Sequence, residues 1–445
     1  MTSTFNRRAM IGLGAGGLAL AAGCSGSATK APSAGTSGAA SASAAPSSAG
    51  PVSGTLRVSW YGGQPVHDAM KTSMEAFKTA NSGVTISGAG VGFGDYWDKL
   101  ATETAGGTMP DVFRMSMTYF SDYSARGALM DLTPQVDKTI MTNTLDADVK
   151  GSGLVNNKMF GIGQSSITPA VFGNKTMLAS VGGAIPADWT WDSFKTWTTD
   201  FAKNAGPGKF GSTDLAGNWQ MFDVYARQIV GNQFDDAGKL KVTKEVVESW
   251  FSFWEGLRKA NVVPPASLTA ESTTYELNPM TKGLSPITYG WVQQVTFFAS
   301  VMKDPLLVGP LPQKTKGDLS GQFVKALDFW CVSSKTKSPE AAATFVDFLI
   351  NNEAATKPIG LLLGVPPTKA ARALLSSGND ATKSAVAFVE QTAGKAGKAP
   401  GPWPRGYSEV MSSFTRASES VAFGKANAGA AATAFLTEAT AALNK

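Results

Sequence analysis

Between Leu56 and Phe113 the chain switches repeatedly between a period of two residues and a period near 3.6. No other feature narrows its possible folds as far. Leu56-Arg-Val-Ser-Trp-Tyr61 reads as a strand, and Gly62-Gly63 breaks it. Met70, Met74 and Phe77 then recur at helical spacing until Ser82-Gly83. Val84-Thr-Ile86 predicts a second strand. Asp95 is placed to cap a helix that carries Tyr96, Trp97, Leu100 and Thr104 and stops at Gly106-Gly107. Pro110-Asp-Val-Phe113 enters a third strand, and Tyr119 to Arg126 predicts a helix up to Gly127. Strand, helix, strand, helix, strand predicts an α/β fold with a largely parallel sheet covered by helices. Ligands of such sheets gather at the carboxyl ends of the strands. That puts Tyr61, Gly62, Gly63, Gln64 and the Arg114-Met-Ser-Met117 turn at one rim, with packing under a loop the competing reading for Tyr61.

The second half repeats the alternation with more helix. Asp192 is expected to cap a helix with Phe194, Trp197 and Phe201 on its apolar face. Ser338-Pro339-Glu340 combines a cap, a first-turn proline and an acid at the positive helix end. Ala342, Phe345, Val346 and Leu349 follow as an apolar stripe, and the alanine-rich stretch from Ala428 to Leu443 favours helix. Trp191, Trp197, Trp250 and Trp254 sit at helical positions and read as core.

Composition excludes several classes of function. About 390 residues run from Gly54 to the end, too many for one hydrophobic core, so two domains are expected. The formal charge is +5; residues 1–23 hold Arg7 and Arg8 and no acid, so without them it is +3, too mild for a dedicated nucleic-acid surface. Besides Cys24 the only cysteine is Cys331, within Leu327-Asp-Phe-Trp-Cys-Val332, read as an inert buried thiol. The single histidine, His67, has no second imidazole with which to build a zinc site or a Ser/His or Cys/His pair, and a solvated or capping role is expected of it. The glycines of Gly88-Ala-Gly-Val-Gly-Phe-Gly94 match neither a phosphate loop nor the dinucleotide fingerprint. Ser334-Lys-Thr-Lys337 fits Ser-x-x-Lys without companion motifs. No cofactor or metal is called for.

The N-terminus has its own logic. Arg7-Arg8, a gently apolar run from Ala9 to Leu20 and Ala21-Ala22-Gly23 form a secretory signal over residues 1–23. Followed directly by Cys24, it resembles the lipobox of bacterial lipoproteins, in which the cysteine is acylated and becomes the new N-terminus. The paired arginines resemble a twin-arginine export signal. Ser25 to Ser53 is almost entirely Ser, Ala, Gly, Pro and Thr, a tether reaching on the order of 30 Å. The expected location is the outer face of the cytoplasmic membrane, held there by lipid. No later stretch approaches the ~18 apolar residues of a membrane span.

Seven segments in order then carry a family resemblance. Tyr96-Trp-Asp-Lys-Leu100 leads to Gly107-Thr-Met-Pro-Asp-Val112, and Ala125-Arg-Gly-Ala-Leu-Met-Asp-Leu-Thr133 and Asn157-Lys-Met-Phe-Gly-Ile162 follow. Next come Asn174-Lys175 with Gly182, Pro186 and Trp189-Thr-Trp-Asp-Ser-Phe194, then Lys282-Gly283 to Trp291, Gly309-Pro-Leu-Pro312 and Lys337-Ser-Pro-Glu-Ala-Ala342. Together they resemble the family 1 extracellular solute-binding proteins, the capture subunits of ATP-driven importers. The family's first interdomain crossing usually ends in proline, where Gly163-Gln164 stands here, and its paired aromatics before Asn-Lys are Phe172-Gly173.

The resemblance implies a two-lobed, hinge-connected fold of the periplasmic-binding-protein type II kind, with discontinuous domains. Lobe one would hold 54–163 and 329–372, and lobe two 164–328 and 373–445. It implies a monomer that captures a carbohydrate between the lobes and hands it to the permease subunits of the transporter, without catalysis. Sugars present apolar C–H faces and many hydroxyls, so rings and neutral polar groups are sought. By position the expected contacts are Tyr61, Gln64, Met117, Ser165, Trp219, Trp291, Trp330 and Trp403, with Ser116 and Tyr119 on the same rim. Core packing is the competing reading for each tryptophan. Two alternatives stay open. A charged solute such as a sugar phosphate would need arginines, with Arg114 and Arg405 the candidates. A secreted glycoside hydrolase would need two facing carboxyls, with only Asp111 and Asp328 near the rim.

Overall fold

The computed structural model describes residues 52–444. The signal, Cys24 and nearly all of the Ser25–Ser53 stretch lie outside the described residues. Among the described residues there are ten strands: β1 (Gly54–Tyr61), β2 (Val84–Val91), β3 (Val112–Ser116), β4 (Leu154–Val155), β5 (Lys158–Met159), β6 (Ile162–Gly163), β7 (Pro169–Asn174), β8 (Ile287–Trp291), β9 (Leu306–Gly309) and β10 (Asp328–Val332). One sheet has the order β2-β1-β3-β10-β6, the other β8-β7-β9, and β4 and β5 form a short hairpin.

The predicted alternation appears in the first sheet. β1 runs parallel to both β2 and β3, and helices Gln64–Ala80 and Phe93–Ala105 connect them. Parallel pairing stops there: β10, which arrives from far along the chain, runs antiparallel to β3 and to β6. The alternation of β1 decides which layer each side chain joins. Leu56, Val58 and Trp60 pack with Met70, Met74, Phe77, Phe345, Val346 and Leu349. Tyr61 points to the opposite layer with Tyr96, Trp97 and Leu100. Phe77 meets Phe345 edge-on at 4.9 Å.

The glycine run has a steric cause. A Cβ at Gly90 would collide with His67 Nδ1 and Trp60 Nε1, and one at Gly88 would sit 2.6 Å from the Trp60 ring. β2 therefore yields space to the Trp60 indole, which donates a 3.0 Å hydrogen bond to His67 Nδ1. His67 serves as that acceptor, not as a cap or a purely solvated group.

The second sheet departs from expectation, since β7 pairs antiparallel with both neighbours. Its Ala170 and Phe172 face Val295, Phe298, Phe388 and Val389. Val171 faces the layer that holds Trp219, Phe222 and Trp250. Helix starts follow local chemistry, with two corrections. Thr190 caps Trp191–Ala205 through a capping box with Ser193, and Asp192 lies in the first turn. Gly92 occupies the cap position of Phe93–Ala105, and Asp95 lies in its first turn. Both acids still face the positive helix end. Pro339–Asn351 and Ala428–Leu443 form where expected.

Each sheet organises one of two lobes. Residues 164–168 join β6 of the first sheet to β7 of the second, and the chain returns to the first sheet through Lys325 to Leu327. A third segment, Gly364 to Thr368, runs beside them. Ser166 bridges to Val365, and Ile167 bridges to Lys325. Arg372, whose side chain is 4% exposed, binds Asp146 and Glu390 beside these segments. Among the described residues no helix is long and apolar enough to cross a membrane.

Candidate functional site

A cleft of about 410 Å³ opens where the strand ends of the two sheets approach. On the first-sheet side Ser116, Thr118 and Tyr119 line it from the turn that leaves β3, and Phe93 lines it from the tip that leaves β2. Ile167, Leu327 and Asp328 come from the connecting segments and the start of β10. Trp291 and Gln293 come from the end of β8, and Gln220 from helix Trp219–Val230. Trp403, Ser408, Met411 and Ser412 complete it, the last three from helix Tyr407–Ala422.

Local structure fixes these groups. Ser116 caps helix Met117–Ala125, accepting from Thr118 N, and this presents the following polar residues at the rim. Tyr119 packs against Trp97 with ring centroids 4.1 Å apart. Phe93 sits between Gly92 and Gly94, 53% exposed, with its ring edge-on to Tyr61 at 5.1 Å. Trp403 stacks on Tyr407 at 4.1 Å with planes 9° apart. Lys325 Nζ lies 5.5 Å from the Trp403 ring and donates to the carbonyls of Pro400 and Gly401 at 2.9 and 3.0 Å. The segment that carries Trp403 is thus pinned to one of the connecting segments. Gln293 Oε1 is buried and has no hydrogen-bond partner among the described residues.

Among the described residues the lining contains one carboxylate and no Lys, Arg or His. That carboxylate, Asp328, is engaged by Arg114 at 3.0 Å and by the Tyr61 hydroxyl. Arg114 also donates to the Tyr61 carbonyl at 2.9 Å and lies 4.0 Å from the Tyr61 ring centroid. Burial pushes the Tyr61 phenol well above its ordinary range. Asp111, the other acid considered, accepts from Arg57 N and Thr336 Oγ1 and does not line the cleft. Arg405 pairs with Asp122 at 3.0 Å outside it. Burial raises the Cys331 thiol far above its ordinary value, so it stays protonated.

The cleft gathers four of the residues singled out from sequence: Trp291, Trp403, Ser116 and Tyr119. The other six fall elsewhere. Tyr61 is committed to Arg114 and Asp328 beneath the rim, and Met117 is fully buried in the core. Gln64 is exposed at the start of helix Gln64–Ala80 and bonds Asp68. Ser165 is fully buried in the first connecting segment. Trp330 is 1% exposed within the first sheet, on the face away from the cleft layer. Trp219 is buried against Phe222, Phe414 and Phe435 and borders a neighbouring cavity. Phe93, Gln220, Gln293, Met411 and Ser412 line the cleft without having been anticipated. Only Phe93 carried a local signal, an aromatic between two glycines where a ring gains little by burial in its own element.

The family described as bacterial extracellular solute-binding protein matches residues 72–391. Among solved structures, the chain is similar to a family 1 extracellular solute-binding protein from Alicyclobacillus acidocaldarius. Identity is 29%, the TM-score is 0.73, and the match covers 89% of this chain and 100% of that one. A periplasmic oligogalacturonide-binding protein from Yersinia enterocolitica, in complex with saturated digalacturonic acid, shares 22% identity at a TM-score of 0.73, covering 88% of this chain and 98% of that one. The GacH receptor of Streptomyces glaucescens, in complex with acarbose, shares 18% identity at a TM-score of 0.72, covering 88% of this chain and 99% of that one.

Proposed function

This chain belongs to the bacterial extracellular solute-binding proteins, and from that premise we propose that it captures an uncharged carbohydrate between its lobes for delivery to the permease of an ATP-driven importer. The lining of the cleft carries the reading. Phe93, Tyr119, Trp291 and Trp403 offer rings to the apolar faces of a sugar, while hydroxyls and the amides of Gln220 and Gln293 meet its hydroxyls. The structural neighbours solved with digalacturonic acid and with acarbose support a carbohydrate class. An anionic solute is disfavoured, because Arg114 and Arg405 are both paired and neither lines the cleft. Hydrolysis by paired carboxyls is disfavoured, because Asp328 is the one acid of the lining among the described residues.

The lobes, taken as 54–163 with 329–372 and 164–328 with 373–445, close about the connecting segments when solute binds. Closure is favoured only by the contacts that the solute adds on the second lobe. Lipid on Cys24 holds the monomer at the outer face of the membrane. A thermal-shift screen tests the whole reading, since a solute that binds the native state raises Tm. Neutral sugars should raise it and sugar phosphates should not. A response to sugar phosphates alone would overturn the uncharged assignment. For the anchor, Cys24→Ser should move the protein from the membrane to the soluble fraction.

A further inference from the structure

A second chamber of about 430 Å³ adjoins the cleft and shares Gln220 and Met411 with it. It lies wholly in the part of the molecule around the second sheet, between helices Trp219–Val230, Ala266–Glu271 and Tyr407–Ala422. Its volume, like that of the cleft, falls within the roughly 300–1,000 Å³ of small-ligand sites. Its chemistry repeats that of the cleft: Asn218, Thr273 and Thr415 supply amide and hydroxyl groups. Thr269 Oγ1 is buried in its wall without a hydrogen-bond partner among the described residues. Phe423 presents a half-exposed ring. Among the described residues no lysine or arginine lines this chamber either. Its two acids differ in state. Asp214 is buried and held by Arg258, whereas Glu419 is exposed at the edge.

We propose that the two chambers are consecutive subsites for one uncharged oligosaccharide, with one sugar unit in the interlobe cleft and the next beyond a threshold formed by Gln220 and Met411. This rests on the carbohydrate reading and adds the length of the solute. A monosaccharide would fill one chamber only. A chain of uronic acids would bring its carboxylates toward the exposed Glu419, with no lysine or arginine in the lining among the described residues to receive them.

Calorimetry on the full chain tests this with glucose, xylose and galactose, their linear neutral trisaccharides, and trigalacturonate. At least one neutral trisaccharide should bind about tenfold or more tightly than its own monosaccharide, and more tightly than trigalacturonate. Ala270→Trp fills the second chamber from an exposed helical position and should bring the trisaccharide down to the affinity of the monosaccharide, which itself stays put. Thr415→Trp does the same from the opposite wall and serves if the first variant misfolds. Glu419→Gln should narrow the gap between neutral and acidic chains. Equal affinity for monosaccharide and trisaccharide in the unmodified protein, or equal loss for both in the filled variants, overturns the second subsite and leaves the carbohydrate reading standing. Binding of no sugar by a protein that melts cooperatively overturns both.

Discussion

Arg114 and Asp328 join neighbouring strands at the mouth of the cleft, with Nη2 3.0 Å from Oδ2. Arg114 is in register with Trp330, so its side chain reaches along β10 to Asp328 at the strand's first position. The pair is nearly buried, at 9% and 16% side-chain exposure. It neutralises the one acid that lines the cleft among the described residues and fixes Tyr61 beneath the rim.

Removing one partner of such a pair strands a charge. Arg114→Met should therefore cost about 3 kcal/mol of stability, read from urea unfolding, and should weaken sugar binding by disturbing Asp328. Adding Asp328→Asn should recover part of the stability, because the stranded charge is then gone. If the single variant unfolds at the same urea concentration as the parent, the pair is not a structural tie.

The two cleft tryptophans should separate binding from folding. Trp291 is half-buried at the end of β8. Trp291→Ala should weaken carbohydrate binding about tenfold with little change in Tm. Trp403 is 5% exposed, stacked on Tyr407 and backed by Lys325. Trp403→Ala should lose binding and also about 3 kcal/mol of stability. Calorimetry and thermal melts on the two variants check the contrast, and identical profiles would contradict it.

Lys325 makes stability depend on pH. Burial lowers its pKa to about 7, against partial support from Asp223 and with further lowering by Arg227. The unfolded chain holds this proton up to the ordinary lysine value near 10.4. Between about 7 and 10 the unfolded state therefore binds more protons than the folded one, and stability attributable to Lys325 rises with pH across that window. Asp223 acts at lower pH: burial raises its carboxyl to about 6, so its contribution falls as pH climbs from about 4 to 6. The Lys325 effect is isolated by comparison with Lys325→Met, whose stability relative to the parent should drop as pH goes from about 7 to about 10. A constant difference would show that the buried amine keeps its ordinary affinity for the proton.

Arg405 gives a sharp test of solute charge. Its pair with Asp122 is largely exposed, at 59% and 25%, so Arg405→Ala should cost less than about 1 kcal/mol. Affinity for a neutral sugar should stay within about threefold. A sugar phosphate that bound the parent and lost about a hundredfold or more in affinity in this variant would instead show Arg405 meeting an anionic group on the solute.

Local pattern reaches as far as the elements and stops at the layers. The strand at Leu56–Tyr61, the helix after Ser338-Pro339 and the helix Trp191–Ala205 follow from residues within a few positions of each other, because caps and periodicity act over one or two turns. The antiparallel return of β10 and the antiparallel second sheet had no such signal. They depend on pairing between segments far apart in the chain.

Sequence by itself settled the α/β class and the family, since these reside in local order and residue type. Tertiary structure alone decided which tryptophans meet the cleft. Trp330 and Trp219 disappear beneath sheet and helix, while Phe93, Trp291 and Trp403 converge from three distant parts of the chain. A side chain's periodicity states which face of its own element it occupies. What covers that face is set by packing between distant segments, and a cleft is the place where nothing does.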